Sequence, residues 1–514
     1  MAEYLIQKTT LTSIADAIRE KTGTTGAIKP TEMASKIGEI SVGGGNSETS
    51  VSEEPWLDDV CFWDLEGNLI QNIPMNQIQS LTELPTAPTY DNMIFEGWNY
   101  TLEDIKTTEY PLDIAPIYST ADGKTHIKLT PYGTSYKDFR FNFTQTVENG
   151  VTFDFGDGSA PQTVAGTGAV YITHTFASVQ EYEIVISVSN GCVLGLGGGS
   201  SAKPFVTKST STSNNTYYSR AITDIRIADG VELSANCFYY FYSLKFLTLP
   251  KTLETIPTYA INNIALLPCV SVPNSVRTIE NYGISYLTRY DGGAFVRTVI
   301  SLPNSIQSLS ISSISNAERI VIPKSATAIN NVSYCYRAKR MFMPNGITTV
   351  GNSALAQNYN LKKIRLPQDL TSIGDSFLQY SKIESVVIPP NVTTIGTYFL
   401  SYSGVEELYI PSSVTTIGAS ALFSCRNLKR IIVEDGSKLT SVNLSSDATK
   451  GIETIFLGLN PPTSSIFLSF CDYSGGVVYV PDEAVESYKG VYRLLDTLIR
   501  PISEYRGTIP NYKN

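Results

Sequence analysis

The sequence predicts a mainly β, multidomain chain: a solenoid of short strands over its second half, preceded by two small β domains and a short N-terminal helical segment. Three observations carry this. An aliphatic triplet, closed in most copies by proline and followed by wording close to V-T-T-I-G, recurs about every 22 residues from roughly position 220 to 490. Two shorter stretches ahead of it alternate apolar and polar residues around turn signals. The first forty residues instead space their apolar side chains three and four apart.

The repeat is clearest in VVIPPNVTTIGTYFLSYSGVEELYIPSSVTTIG, residues 386–418, where one phrase restarts after 22 residues. Residues closing the triplet are Ala228, Pro250, Pro273, Pro303, Pro323, Pro344, Pro367, Pro389 and Pro411, with weaker copies at Glu434, Gly458 and Pro481. This period lies in the leucine-rich-repeat range, where each unit supplies a strand, a turn and a return segment. Burying an aliphatic side chain stabilises by about 1.5 to 3 kcal/mol. Ordering the backbone costs about 1 to 2 kcal/mol per residue, so one turn alone is unstable. Stacking buries both faces of each coil and makes the sum favourable, while proline ends the strand where no ladder donor is required. VEELYIPSSVTTIGASALFSCRNLKRIIV, residues 405–433, resembles the treponemal, or BspA-like, leucine-rich repeat, with Cys425 and Leu428 in that family's places. The step from Pro273 to Pro303 is longer, and the extra residues are expected to leave the coil as a loop bearing Tyr290, Asp291 and Phe295. The solenoid with its C-terminal cap is assigned to 220–514.

Ahead of the solenoid, VTFDFGDGSAPQTV and the following THTFASVQEYEIVISVSN resemble a PKD-type immunoglobulin-like domain, assigned to 121–192. Asp154, Asp157 and Gly158 are read as an Asx-type turn, and His174 as a packing residue. VCFWDLEGNLI, LPTAPTYDNMIFEGWN and DIAPIY, within 59–120, resemble the internalin-type β-grasp repeat of bacterial and phage surface proteins, with Trp98 as core anchor. The Gly/Ser/Thr-rich stretch 193–219 reads as a linker. Its GLGGGS lacks the spacing of a dinucleotide loop.

LTSIADAIREKTGTTGAIKPTEMASKIGEI reads as two short helices, with Leu11, Ile14, Ala15 and Ile18 on one face and Thr31 as a cap. Helices this short are marginal alone, so 1–42 is expected to dock as an anchor, followed by an acidic linker at 43–58. The stretch resembles the N-terminal segment of tail and baseplate proteins of phages that infect Gram-positive gut-type bacteria. That resemblance implies a virion structural protein of tail-fibre or baseplate receptor-binding type, held to other virion proteins through residues 1–40 and reaching host-surface glycan or protein through the solenoid. An exported bacterial surface adhesin and a capsid decoration fibre are the alternatives.

Composition narrows the chemistry. A net charge of −10 and a pI near 5.0 disfavour nucleic acid and anionic membranes, which reward a basic field. No apolar run reaches membrane length. The start MAEYLIQKTT lacks the apolar run of a secretory leader, so the expected location is a virion assembled in the host cytoplasm, and a homo-oligomer is the expected assembly. Seven cysteines without a CxxC pair suggest no disulfide framework; Cys237, Cys335 and Cys425 are expected to be small buried apolar groups. No nucleophile elbow, HExxH or P-loop is present, so the chain is read as a non-enzyme without cofactor or metal.

Strand alternation supplies the candidate binding residues. In LKKIRLP, Leu361, Ile364 and Leu366 point inward and Lys363 and Arg365 outward. Carried along the array, one outward column is Arg319, Arg340, Lys363, Ser385, Glu407 and Arg430. The next is Val321, Phe342, Arg365, Val387, Tyr409 and Ile432, continuing to Phe456 and Tyr479. Arg340, Phe342, Lys363, Arg365, Tyr409 and Arg430, together with the loop residues Tyr290, Asp291 and Phe295, form the expected receptor face, since Tyr and Arg are frequent hot-spot types. The alternative is that this column packs against another subunit or another domain of the same chain. Tyrosines of the return segments, among them Tyr239, Tyr336, Tyr380 and Tyr402, offer a second, paratope-like edge.

Overall fold

Parallel strands stacked in register build most of the molecule. The computed structural model describes residues 55–198, 203–208, 216–287, 297–312, 314, 317–442, 451–463, 465–466, 469–470, 475–490, 497–507 and 509. The expected helical anchor and residues 43–54 of the first linker lie outside them, as do Tyr290, Asp291 and Phe295 of the expected loop; the end of that linker, Pro55–Asp58, is instead a helical turn with Leu57 buried. Residues 55–514 form one compact unit. It is mainly β, 8% helical, with a solenoid of about ten turns preceded by β domains.

Each coil contributes two strands. One ladder runs through Thr349–Val350, Ser372–Ile373, Thr394–Ile395 and Thr416–Ile417, paired Thr349 to Ser372 to Thr394 to Thr416. The other carries the aliphatic triplets, Arg319–Val321, Arg340–Phe342 and Lys363–Arg365 in one sheet and Ser385–Val387, Glu407–Ile410 and Arg430–Val433 in the next. After most triplets the proline carbonyl accepts from the amide three residues on, as Pro367 from Leu370, Pro389 from Val392 and Pro411 from Val414. The glycine of V-T-T-I-G has a steric cause: a Cβ at Gly396 would lie 2.5 Å from the Gly374 carbonyl carbon one coil back. Leu361, Leu366, Cys237, Cys335 and Cys425 are buried, as the phase requires.

The first β domain centres on Asp59–Trp63, antiparallel to Leu69–Pro74 and parallel to Asp113–Ile114, beside the hairpin Met93–Trp98 and Pro116–Thr120. Trp98 is buried, edge-on to Phe62 at 5.1 Å. Helix Leu102–Lys106 starts with a Thr101/Asp104 capping box.

The second β domain is continuous with the solenoid. Its strand Thr125–Leu129 pairs with Tyr182–Val188 on one side and with the first solenoid strand Ile222–Arg226 on the other. An open sheet edge is thereby covered, as a solenoid end requires. The expected linker 193–219 is corrected here: Leu194–Leu196 and Val206–Lys208 both pair with Asp138–Gln145, and Leu194, Leu196, Phe205 and Val206 are buried. Its few apolar residues outweigh its glycine-rich wording, because they fall where the sandwich core is open. Asp154 and Asp157 each accept from the backbone N–H two residues on, at 3.0 Å, forming Asx turns. His174 stacks on Phe155 at 3.9 Å and hydrogen-bonds Asp157.

Candidate binding surface

The outward columns form in the expected register: Arg319, Arg340 and Lys363 are neighbours, as are Ser385, Glu407 and Arg430. One position shifts. Ile455, not Phe456, follows Ile432, and Phe456 faces the core. The columns do not make one continuous surface, because three different environments cover or expose them.

Over the earlier coils the first β domain lies on the sheet. Arg319 is fully buried; its Nε donates to Asp113 at 3.0 Å, and its other nitrogens reach the carbonyls of Asp59 at 2.7 Å and Leu112 at 2.9 Å. Trp63 Nε1 donates to the same carboxylate at 2.7 Å. Asn99 donates to Ser301 at 2.7 Å, Tyr100 to the Leu302 carbonyl at 2.6 Å and Ser301 to the Asp113 carbonyl at 2.6 Å. Val321 and Phe342 join the apolar cluster of Val60, Phe62, Trp98 and Ile114, while Cys61 and Trp63 pack on Cys269 and Val299. Burial pushes the Cys61 thiol up to about 12. Arg340 is 3% exposed and lies 3.5 Å from Asp58. Arg340 and Phe342 therefore leave the expected receptor face and belong to an interface within the chain. The cause is an apolar side on the first domain that no sequence period marks.

Over the last coils the chain covers itself again. Tyr409, 6% exposed, clusters with Ile432 and Ile455, and Tyr479, Ile502, Tyr505 and Ile509 pack against them. Arg430 pairs with Glu407 at 3.1 Å and lies over the Tyr505 ring at 5.4 Å. Tyr409 and Arg430 are thus part of this closure.

Between the two covers an open sector remains, where the two sheets meet. Lys363, Arg365, Ser385 and Val387 are exposed, Val387 at 49%. Arg365 lies 3.6 Å from Glu109 at the rim of the first domain. Of the described residues in the expected face, Lys363 and Arg365 alone remain outward and open. The interface residues that sequence reasoning missed are Asp113, Trp63 and Asn99; a sequence signal exists for Asp113, a carboxylate inside the apolar stretch LDIAPI.

The return segments carry the second edge. Residues at positive φ recur along the coils among the described residues, Tyr334, Gln357, Tyr380, Tyr402 and Ser424 at successive coils. Tyr336, Tyr359 and Tyr402 are about two-fifths exposed. Tyr239 meets Tyr240 at 4.0 Å with the rings tilted by 38°, outside this row. Among the described residues no group of three or more His, Cys, Asp or Glu is placed to hold a metal ion, and no helix is long and apolar enough to cross a membrane.

Residues 210–337 and 304–429 match the BspA type leucine rich repeat region, in six copies. A leucine-rich repeat protein from Bacteroides ovatus is 16% identical over 56% of this chain and 86% of that one, with a TM-score of 0.37. The pneumococcal vaccine antigen PcpA is 18% identical over 52% of this chain and 63% of that one, with a TM-score of 0.26. A leucine-rich repeat protein of T. pallidum is 18% identical over 38% and 89%, with a TM-score of 0.25. No curated protein matches the chain.

Proposed function

Starting from a solenoid of BspA-like leucine-rich repeats, a fold that is typically a binding scaffold, we propose that this chain is a virion structural protein that attaches a phage to its host surface. The second β domain, read as PKD-type, closes the solenoid's first coil, the first, read as an internalin-type repeat, covers its earlier coils, and residues 1–40 dock on the particle. The observation that carries the binding role is the open sector at Lys363, Arg365, Ser385 and Val387. It sets an exposed aliphatic beside two cationic side chains, between stretches of the same sheet that the chain itself covers. Apolar contact with arginine at its margin is a frequent hot-spot composition.

The test is attachment of the purified full chain to host cells, with Arg365→Ser and Val387→Ser combined. Cell binding is expected to fall about tenfold with melting unchanged; unchanged attachment overturns the assignment. Immunogold labelling decides the location: gold on purified particles supports a virion protein, and gold confined to the bacterial envelope favours an exported adhesin.

A further inference from the structure

The tyrosine edge is not explained by the open sector, nor by the needs of the coil. In each turn a residue must adopt positive φ, and Asn263, Gln357 and Ser424 do so in the column where Tyr334, Tyr380 and Tyr402 also stand. The backbone accepts small polar residues there, and a bulky side chain in this region is an outlier. The rings nevertheless run on continuously. Tyr334 meets Tyr336 edge-on, Tyr336 stacks on Tyr359 at 5.6 Å and 18°, and Tyr359 meets Tyr380 at 6.2 Å and 55°. Tyr380 stacks on Tyr402 at 4.7 Å and 9°, and Tyr402 meets Phe423 at 5.4 Å and 71°. Stacking of the pairs stabilises neighbouring coils. The tilted junction between Tyr359 and Tyr380 leaves ring face uncovered, and Gln357 fixes two hydroxyls, donating to Tyr334 at 2.9 Å and accepting from Tyr359 at 3.1 Å.

The charges beside this row are one-sided. Segments 332–337, 355–361, 378–382, 400–404 and 423–428 contain no aspartate or glutamate, in a chain of net charge −10. They do contain Arg337, Lys382 and Arg426, one cation at every second coil, with Asn360 and Gly404 in the coils between. Lys382 and Arg426 are exposed, and Lys382 Nζ donates to Asn360 at 3.1 Å. The carboxylates of the adjoining column pair with its own lysines: Glu318 with Lys339 at 3.0 Å, Glu384 with Lys362 at 3.8 Å and Glu406 with Lys429 at 2.6 Å.

We propose that the row from Tyr334 to Phe423 is a track for one linear acidic polysaccharide bearing a carboxylate on every second sugar. Neighbouring coils lie about 4.8 Å apart, close to the advance of one sugar in an extended chain. Each coil then offers ring edges and hydroxyls to one sugar, and each second coil offers a cation to its carboxylate. Repetition multiplies weak contacts along one polymer. The proposal rests on the solenoid being the binding element, but it uses a different surface from the open sector.

The experiment titrates the full chain calorimetrically with a hyaluronate decasaccharide, whose carboxylates fall on alternate sugars, against laminarin as a neutral chain and a wall teichoic acid as a phosphate polymer. Hyaluronate is expected to bind, more weakly as salt rises. The combined Tyr336→Ser, Tyr359→Ser and Tyr402→Ser variant is expected to lose about tenfold in affinity, and Lys382→Gln with Arg426→Gln to lose several-fold and most of the salt dependence. If the serine variant melts early, the charge variant, which alters only exposed side chains, decides alone. Equal binding of laminarin, tighter binding of the teichoic acid, or no hyaluronate binding overturns the proposal. So does loss of cell attachment in the serine variant that protease treatment of the cells reproduces, since the partner is then a protein. The Arg365→Ser, Val387→Ser variant separates the two readings. It should keep wild-type hyaluronate affinity, so failure at the open sector leaves the track standing, and failure of hyaluronate binding leaves the open sector standing.

Discussion

Arg340 and Phe342 on one strand and Lys363 and Arg365 on the next share a sheet, a phase and an outward direction, yet the first pair is covered and the second is open. The difference is not in the repeat. Phe342 meets the cluster of Phe62, Trp98 and Ile114, whereas one coil on Arg365 meets Glu109 across an exposed 3.6 Å pair. Exposed pairs of this kind contribute about 0 to 1 kcal/mol. Periodicity therefore settles which way a side chain points, and a neighbouring domain settles whether it meets solvent.

The comparison breaks most forcefully at the covered end. Asp113→Ala strands the Arg319 guanidinium among carbonyls and should destabilise unit 55–514 by about 3 to 5 kcal/mol, the usual effect of removing one partner of a buried pair. Denaturant unfolding reads this, and a loss below about 1 kcal/mol would mean water reaches Arg319. Replacing Asp113 and Arg319 together with leucine and methionine should recover much of the loss. At the other cover, Tyr409→Ala empties a site between Ile432, Ile455 and Tyr505 and should cost roughly 3 kcal/mol by thermal unfolding.

Asp157 sharpens the contrast in a domain away from either surface. Partial burial raises its carboxyl, but hydrogen bonds from Ser159 and then His174 outweigh this and hold it down to about 2. A depressed carboxyl stabilises fully above the ordinary range near 4 and loses that contribution as pH falls through about 2. Asp157→Asn should therefore melt below the wild type at pH 6, and the gap should close as pH is lowered from 4 towards 2. A gap that stays constant would assign the effect to packing. The smallest effect belongs to the open end: Lys363→Ala and Val387→Ser should each change stability by no more than about 0.5 kcal/mol, measured by the same unfolding as Asp113→Ala. A larger loss at Val387 would show that this sector too is covered in the folded protein.

Much of the solenoid was legible because each coil repeats the same decision. The phase of Leu361, Lys363 and Arg365 was readable from seven residues, and it extends coil by coil except at Phe456, where the wording had already blurred. The stretch 193–219 was misread as a linker for the opposite reason: its buried apolar residues, Leu194, Leu196, Phe205, Val206 and Tyr218 among them, recur at no period, and the edge of Asp138–Gln145 gives the strands that carry them a place. The candidate face was half legible. The register of the columns was readable, but Arg340 and Tyr409 are buried by segments more than 50 residues away in sequence, Asp58 and Tyr505 among them.

The sequence by itself determined the coil: its period, its inward aliphatics, its proline stops and the glycine that lets Gly396 approach Gly374. These are local contacts between units of the same wording, so each copy states its own neighbours. Tertiary structure alone decided which coils stay open, because that depends on where a non-repeating domain buries its apolar side. Over Arg319 and Arg340 that domain presents a buried carboxylate, Asp113, whose partner Arg319 lies 206 residues away. No periodic pattern encodes a contact made once.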